Sequence, residues 1–269
     1  MSSTTLSAAG APPSVAAFDV RGVCKEFPRT GVTALQDVDL RVPAGSFAAL
    51  IGPSGCGKST LLNILSGLAE PTSGAVDVYG RPVAGPPDEV GFMFQQPTLL
   101  PWRTVLENVL VPIQAQQGRR AARAHRDRAR ELLTSVGLGE FETSYPHEIS
   151  GGMAQRTAIC RMLITEPRAL LLDEPFGALD EMSREAMDIE LHRISRATDA
   201  TVIMVTHSIP EAVLLADQVV VMSARPGCVA RVIDIPLGRV RTRETLVEPA
   251  FGRAVTQVRE ALMGGARRG

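Results

Sequence analysis

The amino-acid sequence predicts an α/β fold with a mostly parallel sheet at its core, a small antiparallel β subdomain and an inserted helical subdomain. Three observations support this prediction. Short apolar runs alternate with amphipathic segments in the second half of the chain, a glycine-rich loop joins one apolar run to a helix, and a polar helical stretch interrupts the alternation. Such alternation favours parallel strands because each crossover helix returns the chain to the same end of the sheet.

The composition is typical of a globular protein with a large core. Of the 269 residues, 45% are hydrophobic and 21% are charged. The formal net charge of −1 provides no overall field that would attract nucleic acid or an acidic membrane surface. The longest apolar runs are far shorter than the roughly 18 to 20 residues that a membrane-spanning helix needs. We therefore expect no nucleic-acid partner and no segment that crosses a bilayer.

The start of the chain and the cysteines indicate a cytoplasmic protein. Residues 1–17 are rich in Ser, Thr, Ala and Pro and lack the features of a signal peptide, so they are predicted to be a disordered leader. The four cysteines, Cys24, Cys56, Cys160 and Cys228, have no paired spacing. Neither a zinc site nor a disulfide framework is expected, and reduced thiols are favoured.

The first elements in chain order are strands. Residues 18–42 alternate in short runs rich in Val and Leu, as the strands of a small antiparallel sheet do. An entirely apolar strand, 47–51, leads into the glycine-rich turn and a helix that begins near Lys58. Further short strands are predicted at 76–78 and 90–94.

The helical insertion is predicted to span residues 97–162. Within it, 105–130 has the pattern of one helical stretch crowded with arginines. Clustered arginines can bind the phosphates of nucleic acid or lipid, but Ala and Glu are interleaved with them and the chain as a whole is nearly neutral. A solvated helix face is the preferred interpretation.

After the insertion, the parallel-sheet pattern returns. The predicted elements are strand 169–172, helix 182–196, strand 201–205, helix 209–216 and strand 219–222. Residues 18–225 are thus expected to form one domain. Residues 226–269 are expected to be a tail of one strand, 229–235, and a short helix with Phe251, Val255, Val258 and Leu262 on one face.

The strongest functional pattern lies between the strand 47–51 and the helix that follows. It matches G-x-x-x-x-G-K-S/T, in which glycines let successive N–H groups point at phosphate oxygens while the helix N-terminus adds partial positive charge. Lys58 is expected to reach the β- and γ-phosphates of ATP, and the Ser59 hydroxyl is expected to ligate Mg²⁺. The predicted nucleotide-binding residues are Gly52, Pro53, Ser54, Gly55, Cys56, Gly57, Lys58, Ser59 and Thr60.

Two carboxylates follow the apolar strand 169–172. They are expected at the carboxyl edge of the sheet, where open α/β sheets bind their ligands. Asp173 is predicted to hold Mg²⁺, and Glu174 is predicted to polarise the attacking water as a general base. In isolation, this pattern is equally typical of a strand that ends in solvated acids.

A serine and two glycines form a third pattern upstream of these acids. Ser150, Gly151 and Gly152 open a predicted helix, and so provide a second anion-binding surface separate from the phosphate loop. Two phosphate-binding surfaces in one chain favour a dimer that shares its nucleotides.

These patterns, in this order, resemble the ABC transporter ATPase family, whose signature loop is L-S-G-G-Q. The resemblance covers about residues 18–222 and implies a P-loop NTPase fold of the RecA-like type. Residues 52–59 resemble Walker A, Gln95 the Q-loop glutamine, Ser150-Gly151-Gly152 the signature, Asp173-Glu174 Walker B, Ala178-Leu179-Asp180 the D-loop and His207 the switch histidine.

The resemblance implies a role for each matched residue. Two copies are expected to associate head to tail, so that Ser150, Gly151, Gly152 and Asp180 of one chain meet the nucleotide held by the other. Gln95 is expected to contact Mg²⁺ and the attacking water, and His207 to hold the γ-phosphate. The implied catalytic residues are Lys58, Gln95, Glu174 and His207, and the implied metal ligands are Ser59, Gln95 and Asp173. Phe27 is expected either to stack on the adenine or to pack in the small sheet.

Departures from the common signature indicate a branch of the family. Ile149 replaces the usual leucine and Met153 the usual glutamine, and the segment 145–153 resembles importers of nitrate, sulfonates and taurine, as do 96–102 and 223–227. This branch implies two transmembrane permease subunits, an extracytoplasmic solute-binding protein and a peripheral position on the cytoplasmic face of the inner membrane. Trp102 is expected either in the groove for a permease helix or in the subdomain core.

Other functions remain compatible with parts of the sequence. An exporter or lipid-release complex would use the same ATPase. A P-loop kinase of small molecules would share the phosphate loop but has no use for the serine-glycine helix start or for His207. Chromosome-organising relatives would place long coiled coils where this chain has only about 110 residues without sustained heptads.

Overall fold

The computed structural model describes residues 16–177 and 179–265. Most of the predicted leader, and Ala178 of the predicted D-loop, lie outside the described residues. The first strand begins at Ala16. Ala16 and Ala17 therefore belong to this strand and not to a leader.

Ten strands in the described residues form two sheets. They are β1 (Ala16–Phe27), β2 (Val32–Pro43), β3 (Phe47–Ile51), β4 (Ser73–Val78), β5 (Arg81–Pro82), β6 (Val90–Met93), β7 (Ala169–Asp173), β8 (Thr201–Val205), β9 (Gln218–Met222) and β10 (Val229–Asp234). The helices of the same residues are α1 (Lys58–Leu65), α2 (Val105–Val109), α3 (Val111–Ala124), α4 (Arg126–Ser135), α5 (Gly151–Leu163), α6 (Glu181–Thr198), α7 (Ile209–Leu215) and α8 (Pro249–Gly265).

The larger sheet has the order β10-β9-β3-β8-β7-β6. Its strands are parallel except for β10, which pairs antiparallel with β9 at one edge. Strands β3 and β8 are buried along their whole length, which explains their uninterrupted apolar sequences. Helices cover one face of these strands, and α1 and the smaller sheet cover the other. The carboxyl ends of β3, β7 and β8 lie side by side at one edge. The predicted mostly parallel core is confirmed.

The smaller sheet is antiparallel, with the order β2-β1-β4-β5. Strands β1 and β2 are long and alternate between buried and exposed side chains, as expected where one face is solvated. Phe18 and Leu35 of this sheet share a hydrophobic cluster with Leu61 and Leu65 of α1 and Leu50 of β3. The small sheet is thereby packed against the helix that follows the phosphate loop.

The helical insertion differs from the prediction of one helical stretch over 105–130. Three helices, α2, α3 and α4, occupy this region, with breaks at Leu110 and His125. Helix α3 is itself interrupted at Gly118, where φ is 85°. A proline in the first turn of α3 starts a new helix there, because proline cannot donate the backbone bond that would continue the previous one. Thr104 and Glu107 form a capping box that starts α2.

The tail is part of the same packed unit. Strand β10 extends the larger sheet through its pairing with β9, and α8 packs on α7 and β9. Phe251 and Val258 of α8 are buried in the main core, and Val255 and Leu262 pack against it. The apolar stripe predicted for this helix therefore faces its own domain. Within residues 16–177 and 179–265, no helix has the length and apolar character needed to cross a membrane.

Candidate active site

The phosphate loop connects the end of β3 to the start of α1. Gly57 is the N-cap of α1 and has a φ of 100°. A Cβ at this position would lie 2.7 Å from Leu35 Cδ2 and 2.8 Å from the Ala34 carbonyl oxygen. Glycine is therefore required here both for the backbone conformation and for the close approach of β2.

Lys58 is the buried cation of this loop. Its Nζ donates to the carbonyl oxygens of Gly52 at 2.8 Å and of Pro53 at 3.0 Å, so the ammonium group lies inside the curve of the loop. The Cys56 thiol is buried, with its Sγ 3.7 Å from the same Nζ. Of the predicted loop residues 52–60, Pro53 and Cys56 do not line the cleft in front of the loop.

The loop forms one wall of a cleft of about 620 Å³. The predicted residues that line it are Phe27, Gly52, Ser54, Gly55, Gly57, Lys58, Ser59, Thr60, Gln95, Glu174 and His207. Phe27 ends β1 and is 42% exposed, so its ring faces the cleft instead of the interior of the small sheet. The cleft thus has an aromatic side at Phe27 and a polar side at the carboxyl edge of the large sheet.

Two predicted catalytic side chains converge on one carboxylate oxygen of a third, Glu174. Gln95 Nε2 donates to Glu174 Oε2 at 3.2 Å, and His207 Nδ1 lies 3.5 Å from the same oxygen. The Glu174 backbone has a φ of 45°, a conformation that non-glycine residues seldom adopt. Its N–H donates to the Val205 carbonyl oxygen at 3.0 Å, which secures this turn against β8. The carboxylate is therefore presented to the cleft at the end of β7.

Asp173 precedes this turn and is half-buried beside Ser59. Burial raises the pKa of Asp173, and the nearby charge of Glu174 adds to this rise. The hydrogen bond with the Ser59 side chain and the charge of Lys58 lower it in part. A carboxylate, a hydroxyl and the side-chain amide of Gln95 are oxygen donors of the kind that Mg²⁺ prefers. The donor set at this edge fits a magnesium ion.

The serine-glycine segment and Asp180 lie apart from this cleft. Ser150 is the N-cap of α5 and accepts from the Met153 N–H at 3.3 Å, and a Cβ at Gly152 would lie 2.7 Å from Leu179 Cδ2. Asp180 is the N-cap of α6, where the hydrogen bond from Ser183 lowers its pKa. Like Gly151, these residues are absent from the cleft lining, so a single chain does not bring its two predicted phosphate-binding surfaces together.

Arg225 is a cleft residue that the sequence patterns did not single out. It lies after β9, and its Nε and Nη2 donate to the Gly55 carbonyl oxygen at 3.1 and 3.0 Å. The segment is held by bonds between Gly227 and the backbone of Ala34 and Gln36 on β2. The position of 223–227 after a parallel strand, at the edge where the phosphate loop lies, was the signal available in the sequence.

The comparison with known proteins agrees with this geometry. The family model described as ABC transporter matches residues 35–177. The chain belongs to the ABC transporter family. The resemblance inferred from the sequence is thereby confirmed, and membership of this family makes the chain an ATPase.

Similar cassettes have names that specify import. The nitrate import ATP-binding protein NrtD of Synechococcus elongatus is 41% identical over 91% of this chain and 90% of its own length. The aliphatic sulfonates import ATP-binding protein SsuB of Bacillus licheniformis is 44% identical over 78% of this chain and 81% of its own length. The taurine import ATP-binding protein TauB of Burkholderia pseudomallei is 47% identical over 74% of this chain and 76% of its own length.

Solved structures establish the cassette fold. A dimeric bacterial ABC transporter cassette superposes with a TM-score of 0.74 at 33% identity, covering 82% of this chain and all of that one. A post-hydrolysis dimer of an ATP-binding cassette bound to ADP and phosphate gives a TM-score of 0.73 at 32% identity over the same shares. This cassette therefore has the P-loop ATPase fold that the sequence predicts.

Proposed function

We propose that this cassette is the ATP-binding and ATP-hydrolysing subunit of an import system that energises uptake of a small solute such as nitrate, a sulfonate or taurine. The observation that carries the proposal is the convergence of Gln95, Glu174 and His207 at the mouth of the phosphate-loop cleft. The names of the similar cassettes support the direction of transport and the class of solute.

Nucleotide binding is assigned to the loop and the two sides of the cleft. The N–H groups of residues 52–60 and the Lys58 ammonium would bind the phosphates, because both present positive charge to the same concavity. Phe27 provides an exposed ring on which an adenine can stack. Ser59, Gln95 and Asp173 would hold Mg²⁺, which supplies neutralising charge to the phosphate oxygens when it is bound.

Hydrolysis is assigned to Glu174. Its carboxylate accepts a proton from a water molecule as the water oxygen attacks the γ-phosphorus, and the bond between the γ-phosphorus and the bridging oxygen breaks to give ADP and inorganic phosphate. Gln95 and His207 both lie against Glu174 Oε2, so they orient the carboxylate toward the reacting water. His207 also has an exposed ring that can reach the terminal phosphate of ATP.

A second copy of the chain completes the site. The Ser150–Gly152 helix start lies outside the cleft of its own chain, so it is free to cover the nucleotide held by the partner. Asp180, at the start of α6, is proposed to belong to the same dimer contact. The dimers seen for similar cassettes support this arrangement.

Two permease subunits and an extracytoplasmic solute-binding protein complete the proposed system. The cassette would then be a peripheral subunit on the cytoplasmic face of the inner membrane. Uptake of labelled nitrate, taurine and alkanesulfonate by cells lacking the chain tests this assignment. Loss of uptake of one solute, restored by the unaltered chain but not by Glu174→Gln, is the expected result. Unchanged uptake of all three solutes would refute the proposed solute class. In a separate assay, transfer of phosphate from ATP to an added acceptor would indicate a kinase instead.

The surface proposed to contact the permease lies beside Trp102 in the helical insertion. Trp102 is 70% exposed, which excludes its burial in the subdomain core. It borders a concavity of about 380 Å³ together with Arg119, Arg123 and Arg126. Other arginines of this stretch are engaged within the domain: Arg130, for example, pairs with Glu142 at 2.8 Å and lowers the pKa of that carboxyl.

Reversal of one charge in this concavity is expected to uncouple transport from hydrolysis. Arg123→Glu should lower uptake roughly 10-fold, which corresponds to about 1.4 kcal/mol of lost contact free energy, while ATP turnover by the isolated chain stays within about twofold. Arg120→Glu is the matched control, because Arg120 is exposed on the same helix but does not line the concavity. Equal losses of uptake in the two variants would contradict the assignment of this surface.

A further inference from the structure

The turn that carries His207 is held from below by a buried carboxylate. The Thr206 hydroxyl donates to Glu211 Oε2 and accepts from the Ser208 N–H at 3.0 Å. The Glu211 N–H in turn donates to Ser208 Oγ at 3.3 Å. Glu211 lies on α7 and is only 7% exposed, so its carboxylate organises the turn from inside the domain.

A second buried acid meets Glu211 from the neighbouring helix. Asp188 lies in the middle of α6 and is 4% exposed, its Oδ1 is buried without a hydrogen-bond partner among the described residues, and its carboxyl group faces the Glu211 side chain. Two carboxyl groups in contact away from water cannot both be ionised at neutral pH, because their charges repel and neither is solvated. Burial and the adjacent Glu211 raise the pKa of Asp188 well above its ordinary value. Asp188 therefore keeps its proton and donates a hydrogen bond to the Glu211 carboxylate.

The charged groups that face this pair connect it to both sides of the active site. Arg184 and Glu185 approach it from α6, and His207 approaches from the turn before α7. The Arg184 guanidinium also donates to the carbonyl oxygens of Phe176 at 3.3 Å and Leu179 at 2.7 Å, in the segment that follows Glu174. The acid pair thus lies between the His207 turn, which contacts Glu174, and Arg184, which binds the segment that follows Glu174.

We infer that Asp188 is a positioning residue for ATP hydrolysis: its carboxyl proton bridges to Glu211, which holds Thr206 and so fixes the turn that presents His207 to Glu174. The inference rests on the proposed function of this site. An apolar residue at position 188 would leave the buried Glu211 carboxylate without one of its two hydrogen-bond donors. The His207 turn would then lose one of its ties to α6.

The bridge has a defined dependence on pH. The unfolded chain releases the Asp188 proton near the ordinary aspartate pKa of about 3.9, whereas the folded chain retains it until the raised pKa is reached. Between these two values the folded state binds more protons, so its stability decreases as pH rises. Above the raised pKa the two carboxylates repel each other, and the His207 turn is expected to loosen.

Steady-state ATP turnover as a function of pH tests the inference in three variants. Asp188→Leu removes the donor and is expected to lower kcat at least about 10-fold with KM for ATP within about threefold, since Asp188 does not touch the nucleotide cleft. Asp188→Asn keeps a hydrogen-bond donor toward Glu211 at every pH. Its kcat should therefore fall less than that of Asp188→Leu and should not decline at alkaline pH. Asp234→Asn, the same change at an exposed position on β10, should retain the alkaline decline of the unaltered chain.

Thermal unfolding separates failure of this inference from failure of the proposed function. The melting temperature of Asp188→Asn is expected to exceed that of the unaltered chain by a margin that grows from pH 5 to pH 9. A margin that stays constant over this range would overturn the proton bridge, even in a chain without ATP turnover. An Asp188→Leu variant that folds and matches the unaltered chain in kcat and pH profile would overturn the positioning role. Absence of turnover in the unaltered chain would instead refute the proposed function.

Discussion

Glu174→Gln is expected to lower the rate of ATP hydrolysis by about 10²- to 10⁴-fold while leaving the affinity for MgATP within a few fold. An amide can still bond with Gln95 and His207, which contact Glu174 Oε2 in the unaltered chain, so the shape of the site is preserved. It cannot accept the proton that the attacking water must lose. Single-turnover hydrolysis and binding of MgATP, measured separately, check the two halves of this expectation.

The same variant is expected to accumulate as a nucleotide-bound dimer. The proposed dimer is held by ATP, because the Ser150–Gly152 segment of each chain covers the nucleotide of the other. Hydrolysis removes the γ-phosphate from this contact, so a chain that binds ATP without cleaving it should remain paired. Light scattering during size-exclusion chromatography with MgATP measures the dimer directly. Glu140→Gln is a suitable control, because this glutamate is exposed in the helical insertion and does not line the cleft. Hydrolysis by Glu174→Gln at the rate of the control would disprove the assignment of the general base.

Lys58→Ala is expected to weaken MgATP binding about 100-fold or more, which corresponds to roughly 2.7 kcal/mol and to the loss of one or two hydrogen bonds from a charged donor. The buried ammonium group lies inside the loop with the Gly52 and Pro53 carbonyl oxygens as its acceptors. Its removal takes away the positive charge that faces the phosphates. Calorimetric titration with MgATP in the Glu174→Gln background measures the affinity without interference from hydrolysis.

Lys58→Arg is the control that keeps the charge. A planar guanidinium cannot reproduce the two bonds of a compact ammonium group, so an intermediate affinity is expected. The melting temperature of each variant without nucleotide shows whether the loop still folds, since Lys58→Ala leaves two carbonyl groups of the loop without this donor. A Lys58→Ala variant with the melting temperature and the MgATP affinity of the unaltered chain would show that Lys58 does not bind the nucleotide.

Patterns local in the sequence were sufficient to predict the strand, loop and helix that contain residues 47–65. The apolar run of β3, the glycine spacing and Lys58 depend on backbone conformations within one short segment, and Gly57 adopts the positive φ that such a loop requires. The parallel core followed in the same way from the alternation of buried strands and amphipathic helices. The sequence by itself also indicated the family, which the comparison confirms.

The tertiary structure decided which side chains meet. Gln95 and Glu174 are separated by 79 positions yet share a hydrogen bond, and Arg225 reaches the phosphate loop from a hairpin 170 positions away from Gly55. The Asp188 and Glu211 carboxyls were unremarkable as separate residues of two amphipathic helices. Their shared proton arises because the packing of α6 on α7 removes both from water at one point, and burial of this kind depends on the whole fold and not on the neighbours of either residue in the chain.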